Sequence, residues 1–172
     1  NHESPTRGET FVTRKITMSA VKIVLGIEGC LYLGNLNSKR DWGHAKDYVE
    51  GMYLILQQKK PEDFVLATGI TTTIREFVML VFKELGIIID FKGKNLKEVG
   101  FVVSNNSEYK LSVGQVILKV DPTYYRPSEV DILVGDPTKA KLKLKWTPKY
   151  DLHELVKDMV QSDLKHFKNL NN

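Results

Sequence analysis

The sequence predicts an α/β fold, and three observations carry that prediction. Apolar residues recur at helical spacing in several separated stretches, short apolar runs bounded by turn residues fall between them, and the two kinds of segment alternate along the chain. At 172 residues and 42% hydrophobic content, the chain can bury a sizeable core, as one domain or as one piece of a larger one.

From Thr13, the residues Ile16, Ala20, Ile23, Val24 and Ile27 keep one helical face apolar, and Gly26 and Gly29 end the helix. "CLYLGNL" is a short apolar run closed by Gly34 and Asn35 and reads as a strand. The charged stretch "KRDWGHAKDYVE" then leads into "HAKDYVEGMYLILQQ", a helix apolar around most of its girth and therefore expected to be buried. "DFVLATG" reads as another strand. In "TTIREFVMLVFKELG" the residues Ile74, Phe77, Val78, Val81, Phe82 and Leu85 recur at helical spacing, Thr73 with Glu76 forms a capping box, and Gly86 sits at the C-terminal cap. "IIIDF", "GFVVS" and "VILKV" are further strands, separated by turn-rich "GKNLKE", "NNSEYKLSVG" and "PTYYRPSE". In "DPTKAKLKLKW" the Lys-Leu alternation suggests a strand, but Asp136 and Pro137 make a good N-cap and first helical position, so a short helix is predicted, with Leu142 and Trp146 facing inward. Asp151 and Glu154 cap a last helix whose inner face carries Leu152, Leu155, Val156, Met159, Val160 and Phe167.

A net charge of +4, from 25 basic and 21 acidic residues, mildly favours anions without forming a basic tract. Nucleotides, phosphosugars or weak nucleic-acid contact all remain open. The single Cys30 excludes an internal disulfide framework and reads as a buried apolar residue in a reducing, cytoplasmic setting. No apolar run approaches the roughly eighteen residues of a membrane span, so no membrane partner is expected, and no signal-type segment opens the chain. The chain begins at Asn1 with a turn-like "NHESPTRG", which suggests a fragment of a longer chain.

The chemistry-bearing residues are informative mainly by what they omit. His44 is isolated and His153 heads "HELVK", which lacks the second histidine of a zinc helix, so no metal site is expected. There is no G-x-S-x-G, no G-x-G phosphate turn and no Tyr-x-x-x-Lys, so any dinucleotide would take its main cradle from another segment. What is present is a set of arginines beside aromatics and prolines, namely Arg7, Arg14 with Lys15, Arg40 and Arg126. A guanidinium offers paired donors to a phosphate, each well-made charge-assisted bond contributing about 1.5 to 3 kcal/mol. Within the charged stretch, Asp41 is expected to cap the following helix, Trp42 and Tyr48 to anchor it to the core, and His44 to be structural. The lysines of "KAKLKLKW" read as a solvated helix face rather than a nucleic-acid strip.

The stretches "NHESPTRGETFVTRKIT", "LGNLNSKRDWGHAKDYVEGMYLILQ", "PEDFVLATG" and "YYRPSEVDILVGDPTKAKLKLKW", with the final helix, jointly resemble the GDP-mannose 4,6-dehydratase family of extended short-chain dehydrogenase/reductases. The resemblance implies that residues 1–172 are the C-terminal, substrate-binding half, a small mixed α/β domain carrying truncated Rossmann-edge strands from "LYLGNL" and "FVLAT" that expose apolar surface. It places the NADP-binding Rossmann half, with every catalytic residue, upstream of Asn1, so that this segment alone is inactive. It further implies conversion of GDP-mannose to GDP-4-keto-6-deoxy-mannose by an internal NADP redox cycle, as in GDP-fucose biosynthesis, in a homo-oligomer, dimer or tetramer. Residue by residue, His2 and Arg7 match the family's cofactor contacts, and Asn1, Lys15, Arg40, Arg126 and Glu129 match its GDP-sugar contacts. Thr6 stands where the family usually has a second arginine, a departure that bears on cofactor affinity and subunit contacts. The competing reading from the residues alone is a free-standing nucleotide- or weakly nucleic-acid-binding module without catalysis.

Overall fold

A computed structural model describes residues 1–170. Its elements run β1 (His2–Glu3), α1 (Val12–Val24), β2 (Leu31–Leu33), β3 (Lys39–Arg40), β4 (Gly43–His44), α2 (Ala45–Leu56), β5 (Thr72–Thr73), α3 (Ile74–Glu84), β6 (Ile87–Lys92), β7 (Val99–Asn105), β8 (Val116–Val120), β9 (Ile132–Leu133), a wide helical turn over Ala140–Leu144, and α4 (Leu152–Leu170). The α/β class therefore holds, with mixed sheets.

The main core is built around α1. Its inner positions Ile16, Ala20, Val21 and Ile23 are sealed, and it packs against α3 and α4 on one side and β2 on another. A four-stranded sheet in the order β2-β8-β7-β6 closes this core. Strand β2 runs parallel to β8, with Leu31 opposite Leu118 and Leu33 opposite Val120, while β8, β7 and β6 are antiparallel. Inside the core, the Arg14 guanidinium of α1 donates to the Asp163 carboxylate of α4. Burial nevertheless pushes the Asp163 carboxyl up, with Arg14 opposing.

Locally written signals are realised. Thr73 and Glu76 form the reciprocal capping box at the start of α3, and Gly86, at φ 78°, turns the chain from α3 into β6. Asp151 and Glu154 cap α4 in the same reciprocal way, at 2.8 Å each. Trp42 joins the main core against Phe77, and Tyr48 belongs to a smaller cluster with Ala140, Leu144 and Trp146.

Several expectations are corrected. Ile27 lies beyond the end of α1 and is half exposed, because the chain turns at Gly26. "LYL" is the outer strand of the main sheet, paired with β8 on one side only among the described residues, in keeping with the expected edge position. The run "DFVLATG" is extended but joins no ladder among the described residues. Two of its amides, Thr68 N–H and Gly69 N–H, donate instead to the Asp41 carboxylate at 3.0 and 2.9 Å. Asp41 also accepts from the Thr68 hydroxyl, so it ties this extended segment to the turn after β3 and does not cap α2. The cap of α2 is His44, whose Nδ1 accepts from Lys46 N–H while Nε2 donates to Asp158 at 3.0 Å, a structural role as expected. Helix α2 itself is not wrapped in core: Asp47, Tyr48 and Gly51 are buried, whereas Val49, Met52, Tyr53 and Leu56 are exposed. In the 136–146 segment the helical choice is right, with Asp136 accepting from Thr138 N–H at 2.9 Å. However, Leu142 points outward and Ala140 and Leu144 point in, because the turn is wider than an α-helix and Lys145 reverses it at φ 55°. Cys30 is half-buried rather than buried, and that burial raises its thiol pKa.

Candidate functional site

The parallel strands β2 and β8 end side by side, and Asp121 N–H donates to Leu33 O at 2.8 Å to hold the two ends together. Beyond them the loop after β8 folds back over the turn after β2. The N-terminal end of α1 faces the same space, contributing Thr10, Phe11 and Val12. The result is a cleft of about 360 Å³ at the C-terminal ends of parallel strands, beside a helix N-terminus whose unpaired N–H groups favour negative charge.

Of the residues matched to GDP-sugar contacts, Lys15, Arg40, Arg126 and Glu129 all line this cleft. Lys15 projects from the first turn of α1, its ammonium 3.4 Å from the centre of the Tyr124 ring. Such a contact holds a mobile ammonium against an aromatic face without neutralising it. Arg40 enters from β3, whose pairing with β9 fixes its position: Nη2 donates to Glu129 Oε1 at 2.6 Å and Nη1 to Val130 O at 2.7 Å. Arg40 and Glu129 thus form one unit, with the second carboxylate oxygen of Glu129 left to accept from a hydroxyl. The Arg126 side chain is exposed, with no hydrogen bond or ion pair among the described residues. Near the cleft mouth, the N–H and hydroxyl of Thr123 hold the Asp121 carboxyl below the usual carboxylate range, with Lys15 adding to the effect. The cleft carries more cationic than anionic groups and has two aromatic walls, Phe11 and Tyr124, a composition suited to a phosphorylated, base-bearing ligand.

Asn1, His2 and Arg7 lie together on the neighbouring segment and not in the cleft. Asn1 donates through Nδ2 to Asp41 O at 3.0 Å. His2 is stacked on Tyr48, ring centres 4.2 Å apart, and burial, with the positive charge of Arg7 adding to it, lowers its pKa. Arg7 pairs with buried Glu3 at 3.4 Å and lies over the Phe11 ring, also at 3.4 Å. Glu3 in turn accepts from the Thr13 hydroxyl, which ties this segment to α1. Phe11 is therefore the link between the two groups, beneath Arg7 on one side and lining the cleft on the other. Thr6 closes a local turn with Ser4, its N–H donating to Ser4 Oγ at 3.2 Å. Arg14, grouped with the anion candidates by its sequence neighbours, belongs to the core ion pair with Asp163.

Residue-by-residue reading missed Phe11, Asn35 and Tyr124. The available signal was the Gly34-Asn35 turn and the aromatic pair before Arg126. Among the described residues, no group of three or more His, Cys, Asp or Glu is placed to hold a metal ion, and no helix is long and apolar enough to cross a membrane.

The same fold recurs in solved structures of longer proteins, dehydratases and epimerases among them. The chain superposes on the NADPH complex of RMD from Pseudomonas aeruginosa with a TM-score of 0.74 at 14% identity, covering 96% of this chain and 46% of that one. It superposes on the NAD complex of dTDP-glucose 4,6-dehydratase from Bacillus anthracis at 0.68 and 16% identity, covering 98% and 43%. Sequence then narrows the class. The family described as GDP-mannose 4,6 dehydratase matches residues 1–159, and the chain belongs to that family. It is 55% identical to the GDP-mannose 4,6-dehydratase of Yersinia enterocolitica over 98% of this chain and 46% of that protein. Against the human GDP-mannose 4,6 dehydratase it is 54% identical over 95% of this chain and 42% of that one. The chain thus spans less than half the length of these curated relatives.

Proposed function

We propose that this chain is the C-terminal, GDP-sugar-binding half of a cytoplasmic GDP-mannose 4,6-dehydratase. The observation that carries the reading is the convergence of Lys15, Arg40, Arg126 and Glu129 on one cleft. In the proposed reaction, GDP-mannose loses water across C5 and C6 and becomes GDP-4-keto-6-deoxy-mannose. Lys15 and Arg126 supply charge to the diphosphate, and the Arg40-Glu129 unit offers a guanidinium donor beside a carboxylate acceptor for ribose or sugar hydroxyls. The α1 N-terminus adds its partial positive charge to the same anion.

The chemistry NADP supplies when bound is reversible hydride transfer, accepting from C4 of the mannose and returning to C6. This chain's residues fit the rim of such a cofactor and not its cradle. His2, held by the Tyr48 stack, and Arg7, held between Glu3 and Phe11, are fixed and partly exposed, while the sequence lacks the glycine turn that would bind a dinucleotide pyrophosphate. With the cradle and the catalytic groups in an N-terminal half, this segment alone is inactive. The stripe of Val49, Met52, Tyr53 and Leu56 along α2 is the face on which that half packs, and the intact enzyme is a homo-oligomer.

The test uses the full-length enzyme. Arg126→Ala is expected to raise the KM for GDP-mannose about tenfold while NADP affinity stays unchanged, a loss on the order of one charge-assisted bond. An unchanged KM would remove Arg126 from the site. Calorimetry showing that single-stranded nucleic acid binds with steep salt dependence, and GDP and GDP-mannose do not, would replace the dehydratase reading with that of a nucleic-acid module.

A further inference from the structure

Arg126 is exposed and belongs to a loop, so its position has to come from something other than packing. The loop after β8 is anchored at its start, where Tyr124 N–H and Tyr125 N–H both donate to Asp121 O, and at its end, where Arg40 holds Glu129 and Val130. Between these points one side chain intervenes. Asn35 donates through Nδ2 to Arg126 O at 2.9 Å and accepts through Oδ1 from Arg126 N–H at 2.8 Å. The amide orientation is fixed by chemistry, because a backbone N–H can only donate and a carbonyl can only accept. The Asn35 side chain thus pairs with both backbone groups of a residue 91 positions away, much as a neighbouring strand would.

Beside it, Gly34 lies so close that a Cβ would fall 2.0 Å from Tyr124 O. Asn35 fixes the height and direction of the peptide at 126, and Gly34 allows the loop to lie flat against the β2 turn. In this arrangement the Tyr124 ring lies over the Lys15 ammonium. We infer that Asn35 is a positioning residue for the GDP-sugar cleft, fixing Arg126 and, through the docked loop, the Tyr124-Lys15 contact; this rests on the reading of the cleft given above.

The experiment compares Asn35→Ala, Arg126→Ala and the double variant in the full-length enzyme. Asn35→Ala is expected to raise the KM for GDP-mannose about five- to tenfold, with kcat within about twofold and NADP affinity unchanged. Because Asn35 acts through Arg126, the double variant should bind no more weakly than Asn35→Ala and Arg126→Ala taken separately would suggest: their fold-changes should fall well short of multiplying. Hydrogen exchange supplies a readout independent of substrate, since the Arg126 amide should exchange faster in Asn35→Ala while the amides of α3 keep their protection. As a second variant that leaves the Asn35 amide in place, Gly34→Ala displaces the same loop and should give the same pattern of raised KM and preserved kcat. If Arg126→Ala raises KM but Asn35→Ala does not, or if the two effects multiply, the inference fails and the cleft reading stands. If Arg126→Ala leaves KM unchanged, the cleft reading fails, and the positioning role for Asn35 falls with it even where exchange at Arg126 accelerates.

Discussion

Helices α1 and α2 are both rich in apolar residues, yet they end up in opposite circumstances. Helix α1 is enclosed by α3, α4 and β2, so that even Thr13, Thr17 and Arg14 are buried and must find bonds inside. Helix α2 is covered on one side, by Trp146, Leu144 and the 63–67 run, and carries a full stripe of exposed apolar side chains on the other. The difference teaches that apolar girth records what a helix is built to touch, and that burial follows only where the touching surface is present.

The largest expected effect breaks the α1 side of this comparison. In Asp163→Ala, the buried Arg14 guanidinium loses its carboxylate and keeps only weak contact with Thr17. Removing one member of a buried pair costs about 3 to 5 kcal/mol, to be read as a lowered urea midpoint at unchanged slope. A loss under about 1 kcal/mol would show that water reaches Arg14 and that the α1-α4 seam is looser than its burial suggests.

A middle effect concerns the cap of α3, one of the helices that encloses α1. Thr73→Ala removes the hydroxyl that accepts from Glu76 N–H and donates to Glu76 Oε2, at an expected cost of about 1 kcal/mol. The Thr73 N–H and hydroxyl hold Glu76 below the ordinary carboxylate range, so its folded pKa is depressed. Its contribution is therefore present above the ordinary carboxylate pKa and disappears as pH falls through and below it. The gap between wild type and Thr73→Ala should narrow on acidification, measured as thermal midpoints, and a gap that widens would contradict the assignment.

Much of this was legible in the sequence because it is local. Both capping boxes, the glycine ending α3, and the inner face of α4 depend on residues three or four positions apart, and all are found where expected. Failures trace to long-range pairing. Asp41 looked like a helix cap because the helix is near in sequence, but the amides that claim its carboxylate belong to Thr68 and Gly69. "DFVLATG" has strand composition, yet composition does not provide a neighbouring strand. α-Helical spacing puts Leu142 inward, but the turn over Ala140–Leu144 is wider than an α-helix and turns Ala140 and Leu144 in instead. The cleft residues were found by resemblance to a family and not by spacing, since Lys15 on α1, Arg40 on β3 and Arg126 in the loop after β8 meet only through the tertiary fold. Asn35 was missed altogether, as nothing in its neighbourhood names a peptide 91 residues away.

The smallest expected effect is also the one that sharpens the α1-α2 comparison most. Leu56 is four-fifths exposed at the end of the α2 stripe. In this chain by itself, Leu56→Ser should change stability by no more than about 0.5 kcal/mol, since the side chain is already in water. In the full-length enzyme, where the stripe is proposed to lie under the NADP-binding half, the same substitution should cost about 1.5 to 3 kcal/mol, the value of burying a leucine. The difference between the two denaturation experiments is the quantity of interest. A cost near zero in both would mean that α2 faces solvent in the whole protein, and the apolar stripe would then need some other covering surface. A cost of kilocalories in the isolated chain would mean that the stripe already has cover there, and the contrast with α1 would disappear.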